Sequence, residues 1–190
     1  MKKIGIDLDS TLNNLTDVWV DLYNKDYNDN LKYFLTWDSH NDVKPECGRK
    51  IYDYLLKPQL FFDLDINPNA QEIVNFLSKH YKLYIITAYI PSSCVDKVNW
   101  VRKYLPELEN DIVFINDKSI LELDYLIDDG PHNLKTFKGT GIVYDRQYNK
   151  YLGDKYPRVN NWKDVEMFFT NELIKDNRKI MKRTIKVKVN

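Results

Sequence analysis

Five short apolar runs in this chain each stop where a polar or acidic residue appears, and segments of helical length and pattern lie between most of them. The runs occupy 4–8, 83–87, 111–115, 125–127 and 141–144. Asn67-Pro68 opens a helix with Ile73, Val74, Phe76 and Leu77 on its inward face. Ser92-Ser93 opens another, whose inward residues are expected to be Val95, Val98 and Val101, and 118–123 has room for one or two helical turns. Strands and helices alternating at these lengths predict an α/β chain: a parallel five-stranded sheet flanked by helices. Ligands of such a sheet bind at the carboxyl ends of its strands, so the residues that end the runs carry the functional signal.

One stretch breaks the alternation. Residues 13–66 hold no clear strand and read as short helices interrupted by Asn, Asp and Pro, with Val18, Trp19, Leu22 and Tyr23 at helical spacing. Ten aromatics fall between Trp19 and Phe62. The stretch is an insertion between the first strand and the next repeat of the pattern. At the other end, 171–190 is rich in Lys and Arg and finishes in alternating apolar and basic residues; it is expected to be a frayed helix or an added edge strand.

At 190 residues there is material for one well-buried core plus an embellishment. The 28 basic and 28 acidic residues cancel, so no global field favours a nucleic-acid or membrane partner. Cys47 and Cys94 have no metal-ligand spacing and suit a reduced interior better than a disulfide scaffold. The start lacks a signal-peptide core and no later segment approaches ~20 apolar residues, so a soluble, cytoplasmic protein is expected.

The run 4–8 ends in two carboxylates two positions apart, Asp7 and Asp9. An aspartate at the end of a buried strand is costly without a partner, and the partners are legible further along the chain. Thr87 ends the second run, Lys118 follows the third and Asp128-Asp129 end the fourth, so all face one rim of the sheet. Taken singly, each suits a solvated turn, a backbone-satisfied threonine or a surface lysine. Together, carboxylates, a hydroxyl and an ammonium suit a divalent cation such as Mg²⁺ holding a phosphate.

Asp7-Leu8-Asp9-Ser10-Thr11, Ile86-Thr87-Ala88, Asn116-Asp117-Lys118-Ser119 and Leu126-Ile127-Asp128-Asp129 resemble, in order and spacing, the four signatures of the haloacid dehalogenase superfamily of phosphohydrolases. Phe61-Phe62-Asp63-Leu64, Asp117-Lys118 and Leu126-Ile127-Asp128-Asp129 narrow the resemblance to the 5'(3')-deoxyribonucleotidases, the cytosolic type C 5'-nucleotidases. It covers roughly 3–169. It implies a Rossmannoid core of 1–12 and 67–170, a small helical cap of 13–66 and a basic tail of 171–190.

The same resemblance implies a Mg²⁺-dependent phosphatase acting on (deoxy)nucleoside monophosphates through an aspartyl-phosphate. Asp7 would be the nucleophile and Asp9 the acid and base. The metal would be held by Asp7, the Asp9 carbonyl and the acidic pair, Asp129 directly with Asp128 behind it. Leu8, Asp9, Thr87, Ala88 and Lys118 would bind the phosphate, and Phe61, Phe62 and Trp37 the nucleoside. Ala88 departs from the family's animal members, which carry serine there: the backbone N–H survives and a hydroxyl does not.

Rival functions are separable on sequence. A receiver module uses similar residues in another order, with the acidic pair on the first strand. A nucleotide kinase would need a GxxxxGK[ST] loop, which is absent. Dehalogenase chemistry is disfavoured by Asp9. A phosphatase of another small ester, or of a nucleic-acid 3'-phosphate end, stays open, as does a homodimer; the expected partner is a small nucleotide, with no nucleic acid or membrane.

Overall fold

Strand pairing puts the first apolar run at the centre of the molecule. The computed structural model describes residues 1–188, with side chains described as far as 178. In chain order the elements are β1 (Lys3–Asp7), α1 (Leu15–Tyr27), α2 (Leu60–Asp63), α3 (Ala70–Ser78), β2 (Lys82–Thr87), α4 (Cys94–Tyr104), β3 (Ile112–Phe114), β4 (Tyr125–Asp128), α5 (Pro131–Thr136), β5 (Thr140–Tyr144), β6 (Arg158–Val159) and α6 (Trp162–Lys188). The sheet is parallel throughout, in the order β3-β2-β1-β4-β5-β6.

β1 therefore has a neighbour on both sides, and its apolar residues Ile4 and Ile6 are fully buried. The main core is closed by α3 through Ile73, Val74 and Leu77, and by α6 through Trp162, Val165 and Phe169. A strand buried on both faces has no solvated side, which is why these runs read as continuous apolar segments. Their carboxyl ends come together beside β1.

The expected sheet of five strands has a sixth, β6. It pairs only Arg158 and Val159 with Val143 and Tyr144 of β5, too short a stretch for any periodicity to show. The inward face of α4 is also different from expectation. Val95 is 70% exposed, while Lys97, Trp100 and Val101 are buried, so the helix is rotated about its axis and turns a lysine inward. The basic tail continues α6 as helix to Lys188 and adds no edge strand; residues 189–190 lie outside the described residues.

The 13–66 segment leaves and rejoins the sheet at one place, an antiparallel bridge between Asn13 and Ile66. The Asn67 side chain donates to the carbonyls of Thr11 at 2.8 Å and Asn13 at 3.1 Å, fastening the two crossing strands to each other. Within the segment, Trp19, Tyr23, Phe34, Ile51 and Tyr54 bury themselves in a cluster separate from the main core. The Trp19 indole N–H donates to the Ile51 carbonyl at 2.8 Å, which satisfies the polar end of a side chain otherwise packed against Phe34.

Candidate active site

β1, β2 and β4 end side by side, and their last residues, the loops that follow them and the turn after β3 bring the chemistry-bearing side chains to one cavity of about 400 Å³. Asp7, Asp9, Ala88, Lys118, Asp128 and Asp129 line its floor, and Trp19, Phe34, Trp37, Tyr52 and Phe61 line its walls. One end is thus anionic and the other aromatic.

Lys118 reaches the floor because Asp117 caps the turn that carries it, its carboxylate accepting from the Ser119 N–H at 3.0 Å. The Lys118 ammonium is 3% exposed, donates to Asp7 and donates to Asp128 at 2.6 Å. Burial opposes its charge, but the neighbouring Asp128 and Asp7 carboxylates outweigh that and hold its pKa above the usual lysine range. Asp7 is pushed well up, by burial first, with Lys118 pulling the other way and Asp128 and Asp129 adding to the rise.

The acidic pair divides by what it touches. Asp128 is saturated: it accepts from the Gly130 N–H at 2.7 Å, from the Asn133 side chain at 3.1 and 3.0 Å, and from Lys118. Among the described residues the Asp129 carboxylate accepts from hydroxyls alone, those of Tyr148 and of Thr11 at 3.3 Å. Burial, then the nearby Asp128 charge, raises the Asp129 carboxyl to about 6, against the opposing hydrogen bond from Tyr148.

Carboxylate oxygens of Asp7, Asp128 and Asp129 lie within 4.8 Å of one another, all on buried residues. Three hard oxygen donors so close, without cations to match them all, fit a Mg²⁺-type ion. With Asp9 counted, four carboxyl groups face the two lysines Lys118 and Lys97, an excess of two acidic groups that the two positive charges of one divalent cation would match.

Asp9 sits one residue beyond the buried Leu8, with its side chain 19% exposed. One oxygen accepts from the Asn13 amide at 3.2 Å; the other accepts from Thr87 at 3.3 Å and from Lys97 at 2.6 Å. Thr87 is itself fully buried and directed at Asp9. The next loop residue, Ser10, has a left-handed φ of 62°, a conformation held by Arg146, whose guanidinium donates to the Ser10 carbonyl at 2.9 Å.

The aromatic expectations separate in the structure. Phe61 is 1% exposed and forms part of the cavity wall. Trp37 is 47% exposed at the same cavity, its ring 4.6 Å from His132 and 5.6 Å from Tyr148. Phe62 lies outside the cavity lining, because the residue after a buried helical position faces outward, and it packs under Lys103. Asp145, at the end of β5, is occupied by Lys150 at 2.7 Å and Arg158 at 2.6 Å.

Lys97, Tyr148, His132 and Asn13 are the site residues that sequence reasoning missed. Lys97 had no motif around it and sat among valines that looked like the helix core. Tyr148 and His132 follow the strand ends of β5 and β4, and that placement was the available signal.

A parallel sheet with an aspartate at the end of its central strand, an acidic pair on the neighbouring strand and a buried lysine between them defines a haloacid dehalogenase-like fold. Solved structures share it. The chain superposes on a haloacid dehalogenase-like family hydrolase from Xanthomonas campestris with a TM-score of 0.59 at 12% identity, covering 94% of this chain and 98% of that one. It also superposes on the HAD hydrolase YfnB from Bacillus subtilis, solved bound to magnesium, with a TM-score of 0.53 at 10% identity over 88% and 97% of the two chains.

Sequence comparison is sharper. Residues 1–175 match the family described as 5' nucleotidase, deoxy (pyrimidine), cytosolic type C protein, and the chain belongs to that family of phosphoric monoester hydrolases. A 5'(3')-deoxyribonucleotidase of Clostridium acetobutylicum is 40% identical over 166 residues, covering 86% of this chain and 92% of the relative. Another from Bacillus subtilis is 32% identical over 173 residues, covering 87% and 98%.

Proposed function

We propose that the chain hydrolyses (deoxy)nucleoside monophosphates to nucleoside and phosphate, with Asp7 as nucleophile and Asp9 as acid and base. The observation that carries this reading is the cavity itself: a carboxylate and lysine floor for a phosphate, continuous with an aromatic chamber sized for a nucleoside.

Asp7, Asp129 and the Asp9 carbonyl would hold Mg²⁺, with Asp128 kept out of direct contact by its three existing partners. When bound, the ion neutralises the carboxylates and draws charge from the phosphoryl oxygens. A carboxylate oxygen of Asp7 attacks phosphorus as the P–O ester bond breaks, and Asp9 gives its proton to the departing nucleoside oxygen. A water then attacks the phosphorus of the acyl phosphate, and Asp9 takes its proton. Phosphate leaves and the Asp7 carboxylate is regenerated. Lys118 offsets the equatorial oxygen charge throughout.

Phe61 and Trp37 would flank the base, a sequence-tolerant contact through flat faces. The test is phosphate release from a panel of deoxy- and ribonucleoside 5'- and 3'-monophosphates, with and without Mg²⁺. The expected result is Mg²⁺-dependent release that favours deoxynucleotides and vanishes in Asp7→Asn. Undiminished release by Asp7→Asn, or equal rates on simple sugar phosphates, overturns the reading.

A further inference from the structure

Lys97 is fully buried, at 0% exposure, one turn into a helix whose other inward residues are Trp100 and Val101. Lysine is almost never fully buried without a partner, and an unpaired ammonium there costs several kcal/mol. Its direction is fixed by the helix: Trp100 is locked by its indole N–H donating to the Leu64 carbonyl at 2.8 Å, and that anchor faces position 97 down onto the end of β2. All three ammonium protons are matched, by Asp9 at 2.6 Å, Thr87 Oγ1 at 2.8 Å and the Ala88 carbonyl at 3.2 Å, and the ring of Phe61 lies 4.6 Å away.

We propose that Lys97 is a positioning residue that holds the Asp9 carboxylate in its working orientation; this rests on the reading of Asp9 as acid and base. A long apolar side chain would fill the same space without the desolvation cost, so the charge answers to the site and not to the core. Asp9 lies on a loop and its other contacts, to Asn13 at 3.2 Å and Thr87 at 3.3 Å, are long. The charge-assisted bond at 2.6 Å is the short, stiff one. As Asp9 releases its proton to the leaving oxygen, the carboxylate that forms already has its counter-charge in place. Thr87 accepts from the same ammonium and donates to Asp9, so one cation fixes both the hydroxyl that ends β2 and the carboxylate expected to protonate the ester.

The test compares two substrates that differ in their need for a proton. A deoxynucleoside monophosphate has an alkoxide leaving group that must be protonated, while 4-nitrophenolate departs without help. Because kcat/KM reports only as far as transfer to Asp7, Lys97→Met is expected to lower it on the nucleotide by roughly 10²-fold and on 4-nitrophenyl phosphate by under ~3-fold. In an Asp9→Asn background the same change should add nothing on the nucleotide, and Lys97→Arg should recover part of the loss.

Equal losses on both substrates, losses that add to those of Asp9→Asn, or no loss at all overturn the proposal. Should Lys97→Met fail to fold, Lys97→Arg carries the two-substrate comparison by the same criteria. Activity surviving in Asp7→Asn would instead strike the reading of the site, which separates the two failures.

Discussion

Lys118 donates to Asp7 and, at 2.6 Å, to Asp128, so one ammonium ties together the ends of two neighbouring strands. Removing it in Lys118→Met leaves two buried carboxylates without that cation, which should lower the metal-free unfolding free energy by ~3–5 kcal/mol. Urea titration checks this. Mg²⁺ should restore part of the loss, because it would neutralise the Asp7 carboxylate, while phosphate release stays at least ~10²-fold down.

Asp129 supplies the pH dependence. Its carboxyl binds a proton more tightly folded than unfolded, rising from 3.8 to about 6, chiefly through burial. Its contribution is therefore fully present at low pH and is lost as pH rises through that window. Without metal, Asp129→Asn should be progressively more stable than the parent chain from about pH 4 to pH 6 and stay so above it, read as a difference in Tm. A constant difference across that range would refute it. The variant should also lose the stabilisation that Mg²⁺ gives the parent at neutral pH.

The exposed aromatics Trp37 and Phe62 should behave differently. Trp37 borders the cavity and Phe62 does not, although both are partly exposed and neither anchors the main core. Trp37→Ala should raise KM for deoxynucleoside monophosphates by roughly 5- to 50-fold, the scale of one stacked base, with kcat less affected. Phe62→Ala should leave both constants near those of the parent.

Asn67→Ala tests the crossing point of the 13–66 segment. It removes the donors to the Thr11 and Asn13 carbonyls, both buried contacts, and should cost ~1–3 kcal/mol in chemical denaturation. Asn13 also holds Asp9, so the same variant should lower kcat more than it raises KM.

The strand-end residues were legible because a buried parallel strand must be apolar until it stops, and Asp7, Thr87 and Asp128 are where it stops. Spacing between elements then placed Lys118 on the same rim. Burial along α4 was not legible: the rule that valines face in and lysines face out follows from desolvation, and Lys97 breaks it because Asp9 and Thr87 supply what water would. β6 escaped because two residues carry no period. Phe61 and Phe62 could not be told apart without the helical phase that α2 sets. Tyr148 meets Asp129 only after the chain has returned through β5, a relation of distant segments that no local pattern encodes.

The narrow crossing at Asn13 and Ile66 also bears on how such a chain diversifies. The segment between those positions leaves and rejoins beside β1, and although Leu15, Leu60, Phe61 and Leu64 near its two ends pack into the main core, none of its residues lies on a strand of the sheet. On the proposed reading, an exchange of residues 16–59 between relatives should transfer a preference for one substrate over another while leaving the bond-breaking apparatus where it was.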